Sequence, residues 1–587
     1  MILGLSLSHD SSAALVSKEG SVHSALAEER ISRKKNHIGL PVASITELLK
    51  SCDEAITNVV IGSHDLLDHH YVDRLLSGLD KNPSVPSGTG LNPWPGYNKR
   101  ANRFDNPKIV LEARIRSLIS EISGLENLRF DWINHHDSHL GCALGAAENS
   151  DSLLLSLDGS GDGESGAIAR LRSSSGNLQF ENLARIPAVD SLGNLYTAIT
   201  RKYNFKPSQH EGKITGLAAF GSYSAAVDVL LEFVRVENGL PKIRYTPGLK
   251  GKVFKVLSRK LGVRRKLLSS MDEIVSLAEE NTSNYEDLAF AIQYVLEKSV
   301  LEIVTHWLEK TDLRNVSLAG GVFANVKLNQ KISELKHVDT MNVFPNMGDG
   351  GIAIGGTWSY LSRLNELKSS ALGSFYSSMY LAPIQDATPN IPEKFDFALL
   401  DSNSLAIDAA KKLSEGFICG VHLNSMEFGP RALGNRSILI DPRKANVNQT
   451  VNKRLKRTEF MPFAPIVLEN YFDLYFESQN VSKQPFYYMT STCMVRPEYR
   501  SAIPAVTHVD GTARPQIVTK ESNAIVTQIL EEFCLLTGVP VLVNTSFNVH
   551  EEPINFQLED SLEALERNAV DMIYTNHGRI TLRNPSF

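Results

Sequence analysis

The sequence predicts an α/β protein of two or more domains, the first of them internally duplicated. Three observations carry this. With 587 residues the chain is too long for one hydrophobic core. A strand, an acidic polar loop, a second strand, a turn and a third strand follow one another at the N-terminus and again from residue 152. Past Tyr360 the composition shifts to clusters of Ser, Asn, Pro and Asp, and a different pattern begins.

In the first repeat, residues 2–7 are an apolar strand and His9-Asp10-Ser11-Ser12 the polar loop. Strands Ala13–Val16 and Val22–Ala27 flank a Lys-Glu-Gly turn. In the second, Leu153–Leu157 is the apolar run, Asp158–Gly163 the loop, and Gly166–Leu171 and Leu178–Leu183 the next strands. Tight bends of this kind leave backbone N–H groups free to cradle a phosphate. Between the repeats, residues 83–102 are rich in Pro, Gly, Asn and Ser and read as a long surface loop, a candidate for acceptor recognition.

The stretch from Trp132 to Ala143, WINHHDSHLGCA, is the chemical focus. His135 and His139 are four residues apart, so a helix start places both imidazoles on one face. Two neutral imidazoles there bind a first-row divalent metal once a carboxylate completes the set. Asp349, at a strand-to-helix junction, can be that carboxylate or an ordinary helix N-cap. Glycines in Ala319-Gly320-Gly321-Val322-Phe323-Ala324-Asn325, between a strand and a helix, allow close approach of a nucleotide. Helices are expected over Ile274–Glu280 and Tyr285–Thr311 from apolar spacing.

Beyond residue 395 a new unit opens with helix Leu405–Ser414 and strand Phe417–Leu423. The stretch Glu427–Ser437 follows, in which Arg431, Arg436 and Ser437 suit a phosphoryl anion. Lys456, Arg457, Arg514, Asn544 and Ser546 add polar groups downstream. So many cations in a chain of net charge −6 suggest a recessed anion site.

Bulk properties narrow the class. A hydrophobic content of 42% with 21% charged residues reads as a soluble globular protein. No run approaches a membrane span, and the first strand lacks a signal peptide's basic region. Five scattered cysteines without Cys-x-x-Cys point to a reducing cytoplasm and away from zinc knuckles. The net charge argues against nucleic acid as partner. The one basic stretch, residues 252–266, reads as a solvated helix face.

Read together and in order, HHDSH, LDGSGDG, HEGKITGLAAFG, LAGGVFAN, MGDGG, EFGPRALGNRSIL, FMPFAP, THVDGTARPQ and VLVNTSFN resemble the NodU/CmcH-type O-carbamoyltransferases over essentially the whole chain. The resemblance implies an N-terminal actin-like (ASKHA) domain over residues 1–370 and a YrdC-like twisted α/β domain over 371–587. It implies that carbamoyl phosphate is cleaved and carbamoyl adenylate formed with ATP in the second domain. An acceptor hydroxyl would then be carbamoylated at an iron site in the first. By motif, His135, His139 and Asp349 would hold the metal, Fe(2+) or another divalent ion. Asp158, Gly159, Lys213, Gly320, Gly321 and Asn325 would line the nucleotide, with room for Mg(2+), and Ser437, Asn544 and Ser546 would serve the C-terminal site. The expected partners are ATP, carbamoyl phosphate and a small-molecule alcohol, with a homodimer allowed. Two positions depart from the family pattern: Met461 stands where many relatives carry Arg, and Glu551 where many carry Gly.

The chemistry explains the parts. A carbamate anion resists nucleophilic attack, and a mixed anhydride with AMP gives it a good leaving group. Arg431, Arg436, Lys456 and Arg514 are the candidates for stabilising charge on the phosphoryl oxygens. His9, with Asp10 beside it, is the candidate base for the acceptor hydroxyl. Competing readings are a tRNA threonylcarbamoylation-type enzyme, a hydrogenase-maturation carbamoyl enzyme, an ASKHA-type phosphotransferase and a non-catalytic binding protein. The first expects a basic face, the second Cys-x-x-Cys pairs. The third leaves the arginine-rich final third without a task, and the fourth loses the metal.

Overall fold

The computed structural model describes residues 1–63, 107–125, 127–245, 270–370, 379–384, 391–456, 463–479, 482–549 and 551–583. The loop at 83–102, the basic stretch 252–266, Arg457, Met461 and the expected domain boundary at 370/371 fall wholly or partly outside these residues.

Apolar strands dictate two sheets in the N-terminal domain. The first contains β1 (Ile2–Ser6), β2 (Ser12–Val16), β3 (Val22–Ala27), β4 (Asn58–Ile61) and β5 (Arg129–Trp132), in the order β3-β2-β1-β4-β5. The second contains β6 (Ser152–Gly161), β7 (Glu164–Ser174), β8 (Asn177–Pro187), β11 (Asn315–Ala319) and β12 (Thr340–Val343), in the order β12-β11-β6-β7-β8. The hairpin β9 (Val234–Glu237) and β10 (Leu240–Ile243) lies between β8 and β11 in the chain. In each sheet the first three strands form an antiparallel meander and the last two join in parallel beside the first. The topology is therefore the same twice, as the duplication expected from the sequence requires.

A helix follows the last strand of each sheet: His135–Ala146 after β5, and Ile352–Arg363 after β12. Both are buried along most of their length. They cross at glycines. A Cβ on Gly141 would lie 1.9 Å from the carbonyl oxygen of Gly355, and one on Gly355 would lie 2.2 Å from that of Ser138. Only residues without side chains allow backbones to approach this closely. The two halves are thus locked together beside their chemical ends.

The C-terminal domain is an eight-stranded mixed sheet with helices packed on it. Its strands are β13 (Phe395–Leu399), β14 (Cys419–His422), β15 (Arg436–Ile440), β16 (Ala464–Leu468), β20 (Gln516–Val518), β21 (Val541–Ser546), β22 (Met572–Thr575) and β23 (Gly578–Leu582). The order is β13-β23-β22-β14-β15-β21-β16-β20. The short strands β17 (Phe476–Glu477), β18 (Cys493–Val495) and β19 (Thr512–Ala513) form a separate three-stranded sheet. The helices Ser402–Ser414 and Lys520–Thr537 cover the large sheet and bury Leu405, Leu413, Ile529, Leu530 and Phe533 in one core. Two further cores mix the domains: Met426, Ala432 and Phe556 pack with Leu3 and Leu5, and Phe428 and Leu433 with Leu140 and Trp358. All five cysteines are free thiols. Among the described residues no helix is long and apolar enough to cross a membrane.

Candidate metal centre and its surroundings

The helix bearing the two histidines begins at His135 itself. Asn134 caps it, its side chain accepting from the backbone N–H of His136 and Asp137. A carboxylate completes the start. Asp162 stands at the tip of the β6–β7 hairpin, where Asp162 and Gly163 both have positive φ (52° and 80°), as a two-residue type I′ turn demands. Its Oδ2 accepts from the His135 N–H at 2.6 Å. The acidic loop of the second repeat therefore fixes the first turn of the helix ending the first.

On that turn His135 and His139 face one another, Nε2 to Nε2 3.2 Å. Asp349 opens a short 3-10 turn before the Ile352–Arg363 helix, whose N-cap position makes no side-chain hydrogen bond. Asp349 is thus no capping residue. Its Oδ1 lies 3.4 Å from His139 Nε2 and 3.6 Å from His135 Nε2. Asp158, expected along the nucleotide, joins the same cluster, with Oδ2 3.1 Å from His139 Nε2 and 3.5 Å from His135 Nε2. One donor atom from each of the four lies within 4.8 Å of all the others.

These residues fit a metal. Two imidazole nitrogens and two carboxylate oxygens suit Fe(2+), Mn(2+), Co(2+) or Zn(2+). With metal–ligand bonds of about 2.1 Å, neighbouring donors stand about 3.0–3.4 Å apart, close to the separations found. Asp349 Oδ1 is buried without a hydrogen bond, an arrangement that costs free energy unless a cation faces it. Charge is already shared here. Burial opposes ionisation of all three groups, but the hydrogen bond with Asp158 and the nearby carboxylate of Asp349 hold the His139 imidazole well above its usual range. Conversely, His9 and His135 hold Asp349 well below the usual carboxylate range, and the two cluster histidines do the same for Asp158. A divalent ion would take the place of those protons.

His9 borders the cluster, Nδ1 3.1 Å from Asp349 Oδ2 and Nε2 3.6 Å from Asp10 Oδ2. Burial works against its charged form, but the side chain keeps 40% exposure and the charges of Asp349 and Asp10 prevail, pushing His9 above its ordinary range. Asn36 holds Asp10 through a 2.7 Å hydrogen bond. Beside the cluster, Gly320 has φ of 101° and a Cβ there would meet the Leu157 carbonyl at 2.1 Å. Gly159 donates its N–H to Asp158 Oδ1, and a Cβ on Gly321 would approach that same oxygen at 2.8 Å. Asn325 caps the following helix and donates to Gln293, which in turn binds Glu297 and Tyr196. Lys213 is half-buried over the ring of Phe205.

In the C-terminal domain, sheet register brings the separate motifs together. Ser437 on β15 pairs with Ser546 on β21, and Asn544 donates to Gln516 at 2.6 Å and to the Ala432 carbonyl at 3.1 Å. Glu427, which sequence reasoning left without a task, accepts from the N–H groups of Leu433, Asn435 and Arg436 and so shapes the intervening loop. Ser437 Oγ accepts from Gly434 N–H in the same loop. Arg436 differs from the expectation. It is fully buried, and its guanidinium donates to the carbonyls of Leu423, Asn424, Asn435 and Phe556. It staples the loop instead of facing an anion, and burial lowers it to about 10. Arg431 and Arg514 are half-buried with Nε out of solvent, while Lys456 is exposed at the end of the Val447–Arg454 helix.

Comparison with known proteins agrees with this architecture. Residues 105–358 match the family description "Carbamoyltransferase N-terminus" and residues 410–581 "Carbamoyltransferase C-terminus". The nodulation protein NolNO of Sinorhizobium fredii is 31% identical over 94% of this chain and 76% of its own length. NolO of Bradyrhizobium diazoefficiens is 31% identical over 73% of this chain and 75% of its own. Among solved structures, HypF of T. kodakarensis aligns with 63% of this chain and 48% of its own at 14% identity and a TM-score of 0.31. Matches to both halves, with relatives aligned along most of its length, show that the chain belongs to the carbamoyltransferase family.

Proposed function

We propose that this carbamoyltransferase works in two stages and modifies a hydroxyl of a small-molecule acceptor. In the C-terminal domain carbamoyl phosphate is hydrolysed to carbamate and phosphate. The carbamate oxygen then attacks the α-phosphorus of ATP, expelling pyrophosphate and leaving carbamoyl adenylate. In the N-terminal domain the acceptor oxygen attacks the carbamoyl carbon, its proton passes to a base, and AMP leaves with the electron pair of the broken C–O bond.

The observation that carries the reading is the meeting of His135, His139, Asp158 and Asp349 with His9 held against Asp349. Bound there, a divalent ion such as Fe(2+) supplies a Lewis acid for the adenylate's phosphate or ribose. His9 Nε2 would take the acceptor's proton, since Nδ1 is occupied by Asp349. The same carboxylates that raise His9 must first be neutralised, and with Asp349 shared by a divalent ion the imidazole falls towards the unprotonated form a base needs. Gly159 and Gly321 keep side chains away from Asp158, where a phosphate or sugar would approach, and Gly320 lets its turn pack against the Leu157 carbonyl. Arg431 and Arg514 are the guanidinium groups for the phosphoryl oxygens of the first stage, and Arg436 holds the loop of Arg431 in shape. Lys456, Ser437, Asn544 and Ser546 complete that site. A mixed anhydride is lost to water unless it is shielded, which accounts for two domains sharing cores.

The test is incubation with carbamoyl phosphate and ATP without acceptor, with carbamoyl adenylate, phosphate and pyrophosphate as readouts. The expected outcome is bound carbamoyl adenylate with stoichiometric pyrophosphate. Release of ADP, or no nucleotide cleavage at all, overturns the reading.

A further inference from the structure

The segment Glu551–Asn555, which follows β21 in the C-terminal domain, touches both halves of the N-terminal domain. On one side Glu551 forms an ion pair with Lys206 and lies 3.3 Å, Oε1 to Nε2, from His210. These partners belong to the second repeat, just before the helix that begins at Glu211 and carries Lys213. On the other side Arg33 donates to the carbonyls of Ile554 at 2.8 Å and Pro553 at 3.0 Å, and pairs with Asp560 at 3.3 Å. Arg33 belongs to the first repeat, at the end of the helix after β3. The metal cluster also draws its donors from both halves. The segment is therefore a strap from the second domain across the junction of the first.

Glu551 is an unexpected residue for such a strap. Its φ is 65°, in the left-handed region where glycine is at ease and a side chain is not. A glycine would serve the backbone better, and what the glutamate adds is its carboxylate. That carboxylate enters a cationic corner: Lys35, Lys206 and Lys213 all act on His210, and Glu551 is the opposing charge. The contact is partly exposed, 38% at Glu551 and 49% at Lys206, so it is weak and readily broken. A weak closure set against a strained backbone suits a contact that must release.

We infer that Glu551 is a positioning residue that latches this strap to Lys206 and His210, and that the latch retains carbamoyl adenylate at the junction until transfer. The inference rests on the two-stage reading above. Glu551 touches no reacting atom in this account. Its effect is on the escape of the intermediate, whereas the rate of its formation stays the same.

The test uses the full chain loaded with carbamoyl phosphate and ATP in the absence of acceptor, followed by rapid filtration and mass-spectrometric counting of free and bound carbamoyl adenylate. Glu551→Gln and Glu551→Gly should release the adenylate at least three-fold faster than the parent protein, with pyrophosphate formation within two-fold. The charge-exchanged pair Lys206→Glu with Glu551→Lys should restore retention to within two-fold. For the parent protein, release should accelerate with salt, because an exposed ion pair is screened, and Glu551→Gly should lose that extra salt dependence. This second readout stands even if the exchanged pair fails to fold. Adenylate formed by parent and variants but released at equal rates, with equal salt dependence, overturns the latch alone. No adenylate from the parent protein overturns the two-stage reading and the latch with it.

Discussion

Replacing Gly355 with alanine isolates the link between helix packing and metal binding. The new Cβ would stand 2.2 Å from the Ser138 carbonyl oxygen, 2.3 Å from Cys142 Sγ and 2.8 Å from the Cys142 nitrogen. Two of these are backbone atoms, which cannot turn aside as a flexible side chain can. The helices must part by roughly 1 Å before the contact becomes tolerable. Alanine favours a helix interior by about 1 kcal/mol over glycine. Overpacking a close crossing costs about 1–3 kcal/mol, and rigid neighbours put this site at the upper end. The net expectation is a loss of about 1–2 kcal/mol, seen as a thermal midpoint a few degrees lower. The effect on the metal is larger. Asp349 sits six residues before Gly355, and metal sites tolerate ligand displacements of only about 0.2 Å. Affinity for Fe(2+) or Co(2+), measured by chelator competition under anaerobic conditions, should fall at least about ten-fold. A variant as stable as the parent, with metal affinity within two-fold, refutes the claim that this crossing sets the donor spacing.

Other perturbations separate the two sites. His9→Ala should abolish acceptor carbamoylation while carbamoyl adenylate still forms; equal loss of both removes His9 from the role of base. Arg436→Lys should destabilise the C-terminal domain by about 3 kcal/mol or more, because a lysine leaves buried carbonyls unpaired, whereas Arg514→Ala should lower the thermal midpoint less and slow adenylate formation. Equal midpoints for the two variants would show that Arg436 is no staple. Lys327 and Asp510 pair at 2.8 Å across the domains. Burial opposes the charge of Asp510, but hydrogen bonds with Lys327 and Thr512 lower it from 3.8 to about 2. A depressed carboxyl stabilises the fold above its unfolded value and loses that contribution as pH falls through its folded one. Asp510→Asn should therefore cost about 1–2 kcal/mol at pH 7, and urea unfolding should show the gap from the parent narrowing between pH 4 and about pH 2.

The parts legible in the sequence are those written in local pattern. The meander strands, the long helix from Tyr285 to Thr311 and the duplication all follow from apolar spacing, and they are found where expected. The parallel strands β4 and β5 escaped notice. They are four residues each and far apart in the chain, so no local alternation marks them. Asp158 was legible as a loop residue but not as a donor, because its partners come from another strand's helix. One signal was available: Asp158 follows the apolar run Leu153–Leu157 as His9-Asp10 follows β1, and equivalent positions in a duplicated fold face the same cleft. Arg436 marks the opposite limit. An arginine in a glycine-rich loop reads as an anion ligand, and only the surrounding carbonyls reveal that its donors are spent.

The donors of the cluster divide by repeat. Both imidazoles come from the helix after β5, at the end of the first repeat, and both carboxylates come from the second, on β6 and after β12. Duplication supplied equivalent places, and divergence put nitrogen on one side and oxygen on the other. Neither half alone offers a full set, so an ion bound here joins the halves as well as serving the reaction. Binding to the closed form alone should stabilise it by about 2.7 kcal/mol at a hundred-fold excess over the dissociation constant. Metal addition should therefore raise the thermal midpoint and slow amide exchange in both the His135–Ala146 and Ile352–Arg363 helices. Asp349→Asn should abolish both effects while leaving the apo protein folded. If metal binds with its usual affinity yet exchange slows only in the histidine helix, the ion belongs to one half and does not join the two.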